Sequence, residues 1–317
     1  MNPYPVINDP GFSHDPTLAA LLNQLQNRLH NKVCSTLVYG SCLRSGDIYD
    51  GLLDLYLICD NYRDAYRHRG LAAANWLLPP NVFYAQQKCA TADAAGPTLR
   101  AKVTVISLRD FQRGCSTAWF ESYIWGRFAQ PTLILQARDA DIRAAVETAL
   151  MSAAYTLLVR ALPTLPSTGK VTALWEDALS LSYATELRTE RSGRAAELAH
   201  SAVDFYCAMT KTHASALNLE LSNHENNGDL YYQHTVSRTR RTASKLGWGL
   251  RRIQGKVFSI ARLVKALFTF EGGLDYIAWK LERHSGETVE IPPKVRKHPL
   301  LYLWPFFWGL YQRGIFK

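Results

Sequence analysis

Short apolar runs alternate with amphipathic stretches through the first half of the chain, and this order predicts an α/β fold with a mixed sheet. Residues 34–39 and 53–59 are apolar runs of strand length, and residues 99–108 alternate as in a half-buried strand. Leucines recur at helical spacing behind Asp15 and Pro16, a capping residue and a first-turn proline, which predicts a helix to about Leu29. The same reasoning predicts helices over residues 62–78, 109–127 and 140–162, strands over 81–85 and 132–136, and a loop over 90–97.

The second half of the chain has a different pattern. Residues 172–219 keep helical spacing throughout, and a polar loop containing Asn226-Asn227-Gly228 follows over residues 222–229. We therefore expect three segments: a mixed-sheet α/β domain over residues 1–140, a helical domain over 141–222, and a basic, amphipathic C-terminal region over 223–317.

The C-terminal region is set apart by its positive charge. The chain carries a net charge of +9, and residues 230–270 contain no Asp or Glu. A block of this kind favours a polyanionic partner, either nucleic acid or an anionic membrane surface. Its cations are Arg238, Arg240, Arg241, Lys245, Arg251, Arg252, Lys256, Arg262 and Lys265.

The C-terminal run from Leu300 to Tyr311 is apolar and aromatic, is interrupted by Pro305, and has basic residues on both sides. It is too short to span a bilayer. Two interpretations stand: a segment packed on the core, or an interfacial anchor with Trp and Tyr at headgroup depth. We expect no transmembrane helix and no signal peptide, because no run of 18 apolar residues occurs and the first 16 residues contain no Lys or Arg.

The candidate chemistry lies in the two predicted strands nearest the N-terminus. Gly40-Ser41 ends the first, and Asp54 follows after twelve intervening residues, early on the second. Glycine lets a backbone turn approach phosphate oxygens, the turn's donors bind them, and a carboxylate holds Mg²⁺. This pattern is typical of nucleotidyltransferases. Tyr56 stands where such enzymes often have a second carboxylate, so a second metal ligand comes from elsewhere or one ion does the work.

With these landmarks placed, the chain resembles the mitochondrial-type phosphatidate cytidylyltransferases, also called CDP-diacylglycerol synthases, over about residues 36–206. No single motif is specific, but the set occurs in the family's order and at similar spacing. The matching motifs are Tyr39-Gly40-Ser41, the run from Leu53-Asp54 to Asp60, Asn81-Val82-Phe83-Tyr84, the run from Lys102 to Ser107, Gly126-Arg127 with Gln130-Pro131, and Leu181-Ser182-Tyr183 leading to Glu186-Leu187-Arg188.

The resemblance implies transfer of a nucleotide from CTP to phosphatidate in phospholipid biosynthesis, with Mg²⁺ as cofactor. It implies that Tyr39, Gly40 and Ser41 bind the triphosphate. It further implies that Asp54 ligates Mg²⁺, that Lys102 faces phosphate oxygens, that Glu186 is the second carboxylate and that Arg188 binds a phosphate. Glu186 stands where the family usually has Asp, one methylene shorter.

A phosphatidate substrate lies in a membrane, so we favour an anionic membrane surface over nucleic acid as the partner of the basic region. The expected location is peripheral, on the cytoplasmic face of a membrane, with a bacterial inner membrane as first choice. Two alternatives stay open: a nucleotidyltransferase acting on RNA or a soluble acceptor, and a non-catalytic protein of this fold that binds lipid or nucleic acid. We interpret Arg127 first as a cation at a helix C-terminus.

Overall fold

A computed structural model describes residues 4–89, 96–186, 193–223, 229–269 and 289–297, with residues 301–302, 305–306 and 308–309. The fold is mixed α/β, with a five-stranded and a three-stranded sheet. Its helices are α1 Pro16–Arg28, α2 Ser41–Ser45, α3 Tyr62–Ala65, α4 Arg69–Leu77, α5 Leu108–Cys115, α6 Trp125–Phe128, α7 Ala140–Ala161, α8 Val171–Tyr183, α9 Arg194–Ser201, α10 Val203–Leu217, α11 Arg238–Thr269 and α12 Pro293–Lys297. Its strands are β1 Val33–Tyr39, β2 Leu53–Cys59, β3 Asn81–Lys88, β4 Thr98–Ser107, β5 Leu133–Ala137, β6 Thr168–Lys170, β7 Glu220–Asn223 and β8 Leu230–Gln233.

The larger sheet has the strand order β3-β4-β2-β1-β5. Strands β2 and β4 are parallel, and the other neighbours are antiparallel. The register places Asp54 opposite Lys102 on β4 and opposite Tyr39 on β1. The end of β1, the start of β2 and the middle of β4 therefore lie side by side in the sheet.

Helices cover both faces of this sheet. On one face, the apolar stripe of α1 packs against side chains such as Val38, Leu55 and Val103. On the other face, α5, α6 and α7 pack against the sheet, and Leu37, Tyr56 and Ile58 belong to a cluster that α8 and α10 continue. Because β4 lies between two strands and beneath both layers, the second half of β4 is buried on both faces. Its alternating sequence predicted only one buried face, which is wrong for that half.

The sequence located most elements correctly. Asp15 caps α1, and its Oδ1 accepts a hydrogen bond from the backbone N–H of Leu18 at 2.8 Å. Strands β1, β2 and β5 and the long helix α7 begin and end within one or two residues of the predicted bounds. The division into three segments stays a prediction; one hydrophobic cluster includes residues from both sides of position 140.

Two predicted helices are each broken. The helix over residues 62–78 is split into α3 and α4, because the backbone is extended at Tyr66. There the phenol is buried and accepts a hydrogen bond from Asn75. The helix over residues 109–127 is split into α5 and α6, because Ser116 is extended and the segment between them buries Glu121 and Ile124. In both cases tertiary burial outweighs local helical spacing.

The smaller sheet was not predicted. Two of its strands, β7 and β8, lie at the two ends of the loop that was expected over residues 222–229. β7 and β8 pair antiparallel, and β6 pairs with the other side of β8. Residues 224–228 lie outside the described part of the chain, as do residues 90–95 of the other predicted loop and 187–192 of the predicted helical stretch.

Two features bear on membranes. Within the described residues, one helical stretch, Ala140–Thr164, is long and apolar enough to cross a bilayer, but half of its window is buried inside the protein. Burial of this extent is also found in the core helices of proteins that do not cross a membrane. Of the C-terminal aromatic run, only six residues are described, and Leu301, Tyr302 and Trp308 among them are exposed.

Candidate active site

The turn after β1 requires glycine for two reasons. Gly40 has φ +94° and ψ −155°, a region that residues with a Cβ seldom occupy. A Cβ built at this position would lie 2.9 Å from Oδ2 of Asp54. The turn thus passes directly over the Asp54 carboxylate, with Ser41 exposed at the start of α2. The sequence pattern predicted an approach of this turn to phosphate oxygens, and that stays a prediction.

Asp54, the second residue of β2, forms an ion pair with Lys102, in the middle of β4. The Lys102 Nζ lies 3.8 Å from Asp54 Oδ1, and the side chains are 24% and 27% exposed, respectively. Both groups are therefore partly buried yet open to a ligand. The register of β2 with β4 is what brings them together, since they are 48 positions apart in the sequence.

Arg127 on α6 is the buried cation of the site. Its Nη2 donates to both carboxylate oxygens of Glu186, at 3.2 and 3.3 Å, and its Nη1 donates to the Tyr56 hydroxyl at 3.3 Å. Its guanidinium also lies 4.1 Å from the centre of the Tyr123 ring. Arg127 stands in the last turn of α6, as its first interpretation predicted, but its described side-chain partners are a carboxylate and a phenol. Tyr56, which replaces a possible second carboxylate, helps to hold this arginine.

A narrow pocket of about 70 Å³ brings these groups together. Small-molecule sites usually measure about 300–1,000 Å³, so the enclosed part has room for phosphate groups and not for a whole nucleotide. Its lining combines predicted residues with others and comprises Tyr39, Gly40, Ser41, Arg44, Asp54, Gly126, Arg127, Gln130, Ser182, Tyr183, Glu186 and Arg194.

The structure therefore unites most of the predicted site. Tyr39, Gly40, Ser41, Asp54 and Glu186 line one pocket, and Lys102 is paired with Asp54 at its edge. Arg188 lies outside the described residues.

Sequence reasoning assigned no role to six pocket residues, of which Gly126, Gln130 and Ser182 only stand in motifs that the resemblance quoted. Arg44 had a signal that could have been used, because it follows Ser41 by one helical turn. Tyr183 stands in a motif that the resemblance quoted, although no role was assigned to it. Arg194 comes to the pocket from α9, and nothing in the sequence around it indicates this.

The electrostatics of the pocket suit an anion. Arg44, Lys102, Arg127 and Arg194 surround Asp54 and Glu186. Glu197 pairs with Arg44 at 3.9 Å and with Arg194 at 3.1 Å, which offsets part of that positive charge. Burial and the neighbouring Arg194 lower the pKa of Arg44, as expected for cations held close together. A phosphate ligand would relieve this repulsion.

Tyr123 connects the pocket to α11. Its ring lies between two guanidiniums, 4.1 Å from Arg127 and 3.9 Å from Arg262, and Arg262 forms a bidentate pair with Glu121 at 2.7 Å. Burial alone would raise the pKa of Tyr123, but the positive charges of Arg127, Lys102 and Arg262 outweigh it and lower that pKa.

The donor set is compatible with Mg²⁺ but not with a metal site made by protein alone. Among the described residues, no cluster of three or more His, Cys, Asp or Glu side chains is placed to hold a metal ion. Mg²⁺ commonly binds through one or two carboxylates together with substrate phosphates. Asp54, open to the pocket, fits such a ligand, and Glu186 is a second carboxylate on its wall.

No family model matches the chain, and no curated protein matches it.

Proposed function

We propose that the protein is an enzyme of nucleotidyltransferase-like fold that makes CDP-diacylglycerol and pyrophosphate from CTP and phosphatidate. One observation supports transfer of a nucleotide above all: the Gly40 turn, Asp54 and Lys102 lie side by side, opposite the Arg127–Glu186 pair. The choice of CTP and phosphatidate comes from the resemblance over residues 36–206.

The reaction joins two anions, and the pocket residues suit that task. A phosphate oxygen of phosphatidate attacks the α-phosphorus of CTP, and the bond from that phosphorus to the β-phosphate oxygen breaks to release pyrophosphate. A phosphate monoester is already largely anionic at neutral pH, so no strong general base is needed. The catalytic requirements are position and positive charge, each well-placed donor contributing a few kcal/mol.

Individual roles follow from the contacts. Gly40 lets the backbone approach the triphosphate, and Lys102 and Arg44 offer charge to its oxygens. Glu186 holds the Arg127 guanidinium in place, because it accepts two hydrogen bonds from one nitrogen. Asp54 would hold Mg²⁺, with Glu186 as the second carboxylate. When bound, Mg²⁺ neutralises charge on the triphosphate.

An exposed apolar stripe on α11 favours a membrane-bound acceptor over RNA. A nucleic-acid surface calls for basic and polar side chains, whereas an interfacial helix combines aliphatic and basic ones. We therefore propose an anionic membrane surface as partner and a peripheral location on its cytoplasmic face. The stripe comprises Leu246, Leu250, Ile253, Val257 and Ile260, each more than half exposed, with Lys245, Arg252 and Lys256 beside it.

The test is transfer of label from CTP into lipid. Wild-type protein with Mg²⁺, radiolabelled CTP and phosphatidate vesicles should give a labelled, lipid-soluble product, and ATP should compete poorly. Asp54→Asn keeps the shape and removes the charge, so turnover should be lost with the melting temperature unchanged. Asp141→Asn, at an exposed position on α7, is the control and should stay active.

Three other results would contradict the proposal. Label entering RNA would identify the first alternative. No transfer to any acceptor, with CTP or lipid still bound, would identify the non-catalytic alternative. Activity of Asp54→Asn within a few-fold of wild type would remove Asp54 as the essential metal ligand.

A further inference from the structure

A second groove opens outside the carboxyl ends of β2 and β4, at the end of β2 away from Asp54. These strands are adjacent and parallel, and their last residues, Cys59 and Ser107, are paired in register. The helices that follow them lie on opposite faces of the sheet, because α3 and α4 pack with α1 whereas α5 packs with α7. Open α/β sheets bind ligands in the crevice that such a divergence leaves outside the strand ends.

The groove is much larger than the pocket at Asp54. It measures about 1,220 Å³ against about 70 Å³, and the two cavities have no described lining residue in common. Small-molecule sites usually measure about 300–1,000 Å³, so the groove has room for a whole nucleotide. Its walls come mainly from α3, α4 and α5, none of which lines the pocket.

One face of α4 gives the groove an apolar wall. Ala72 and Ala73 precede Trp76 by four and three residues, so the three lie on the same side of the helix and line the groove together. Trp76 is 74% exposed, and its neighbours on this face are small. A flat ring can therefore lie against the indole, and every nucleobase has a face that stacks on an aromatic side chain.

Four arginines line the groove, and they come from three helices. Arg63 stands on α3, Arg69 on α4, and Arg109 and Arg113 on α5. All four are exposed, and none of them forms an ion pair with another described residue. Guanidiniums suit a phosphate group well, because they bind its oxygens through paired hydrogen bonds.

Three carboxylates share the groove with these cations. Their negative charges would repel a strand of nucleic acid, which has a phosphate at every residue, more than a ligand with one phosphate. The groove therefore favours a single nucleotide over a polymer. Each carboxylate already accepts a hydrogen bond from the protein: Asp60 from Arg138 at 2.8 Å, Asp110 from Tyr62 at 2.6 Å, and Asp64 from Asn61 at 2.7 Å.

We propose that this groove binds one nucleoside phosphate, with the base stacked on Trp76 and the phosphate held by the arginines. Binding at this site does not depend on the proposed function. Asp54 and Cys59 lie five strand positions apart, which separates the pocket from the groove by about 17 Å. This distance makes a nucleotide in the groove an effector of the protein and not a substrate of the pocket.

The test is titration calorimetry of the full-length protein with AMP, without CTP or Mg²⁺. AMP has one phosphate and a purine base, and it should bind saturably. Trp76→Ala should weaken this binding at least about fivefold, the lower end of the loss for one base–aromatic stack. Trp76→Phe keeps a ring and should retain most of the affinity. Leu77→Ala is the matched control and should bind as wild type, because Leu77 is 77% exposed yet does not line the groove.

The phosphate contact is tested separately by comparing AMP with adenosine. Replacing Arg109 and Arg113 together by Gln should weaken AMP binding at least about tenfold, because charge-assisted hydrogen bonds to the phosphate are lost. The affinity for adenosine should stay nearly unchanged. Arg67→Gln, at an exposed arginine that does not line the groove, is the control for net charge. All these side chains are exposed, so the melting temperatures should stay those of wild type.

Lys102→Gln separates the groove from the pocket at Asp54. This substitution alters the pocket alone and should leave AMP binding unchanged. AMP binding that is lost in Lys102→Gln but kept in Trp76→Ala would place the nucleotide in the pocket and overturn the inference.

Three further results would contradict it. One is unchanged AMP affinity in Trp76→Ala, and another is an equal loss of AMP and adenosine binding in the arginine variant. The third is Trp76-dependent binding of an oligonucleotide that is tighter than that of AMP, which would identify a strand as the ligand. If no label passes from CTP to any acceptor but Trp76→Ala still loses AMP, the proposed function fails and the nucleotide groove stands.

Discussion

Replacing Gly40 by Ala tests the contribution of this turn to turnover separately from its contribution to the free energy of unfolding. The added methyl group has two effects: it strains a backbone with φ +94° and ψ −155°, and it meets Oδ2 of Asp54 at 2.9 Å. The second contact involves the free end of a side chain, so Asp54 can yield at little cost to folding. The carboxylate then leaves the position from which it serves the triphosphate.

The magnitudes differ for the two effects. Backbone strain at such a position costs about 1–3 kcal/mol of unfolding free energy. Displacing a catalytic group by a fraction of an ångström to about 1 Å lowers turnover by about 10–100-fold. Gly11→Ala is the comparison, because Gly11 has φ +101° with no atom within 4 Å of a built Cβ. That variant should lose about 1 kcal/mol and keep its turnover.

The assay combines thermal unfolding with CTP turnover in a double-mutant cycle. If Gly40→Ala acts through Asp54, its effect on Mg²⁺–CTP binding should largely vanish in the Asp54→Asn background, while its stability cost remains. Equal losses of turnover for Gly40→Ala and Gly11→Ala would refute the reasoning. So would additive effects of Gly40→Ala and Asp54→Asn on CTP binding.

Three further outcomes follow from the contacts around the pocket. Arg127→Lys should keep the fold and lower turnover at least tenfold, because an ammonium cannot replace the hydrogen bonds of the guanidinium to Glu186 and Tyr56; wild-type turnover would contradict this. Glu186→Gln should lower the free energy of unfolding by about 3 kcal/mol, because it leaves the buried Arg127 guanidinium without its opposite charge. An unchanged free energy of unfolding would show that the other contacts of Arg127 are sufficient. Burial lowers the pKa of His213 below its unfolded value, so stability is full above about pH 6.5 and falls at lower pH by at most about 1.4 kcal/mol per pH unit. His213→Gln should flatten that slope in unfolding curves, and His200→Asn, at an exposed position, should not.

The part of the site that could be predicted is the part in which a chemically informative motif stands at the end of a predicted strand. Gly40-Ser41 and Asp54 stand at the ends of apolar runs, and two adjacent strands bring such ends together in any register that buries both. Lys102 was found only through the resemblance, since a lysine on an alternating strand is ordinarily a surface residue. Its pairing with Asp54 depends on the parallel register of β2 and β4, which no local pattern specifies.

The features that could not be predicted depend on contacts between residues that are distant in sequence. The breaks at Tyr66 and Ser116 arise because buried side chains need those turns, and helical spacing carries no information about them. The second sheet pairs β6 with β8 across 61 to 65 positions. It pairs β7 with β8 across only 7 to 13, but these strands have three or four residues and are too short to stand out from loops. The pairing of Arg127 with Glu186 was not predicted for the same reason, because the two residues are 59 positions apart.

The distribution of positive charge gives the pocket and α11 a common explanation. A pocket that binds a triphosphate needs cations, and an enzyme whose acceptor lies in an anionic leaflet needs further cations on its outer surface. Arg262 and Lys265 belong to the basic block, yet they point inward to Glu121 and to the carbonyls of residues 78–80. Only part of that block, including Lys245, Arg252 and Lys256, is exposed to attract lipid. The salt dependence of vesicle binding should therefore fall when those three are neutralised, and neutralising Arg262 should instead lower the melting temperature.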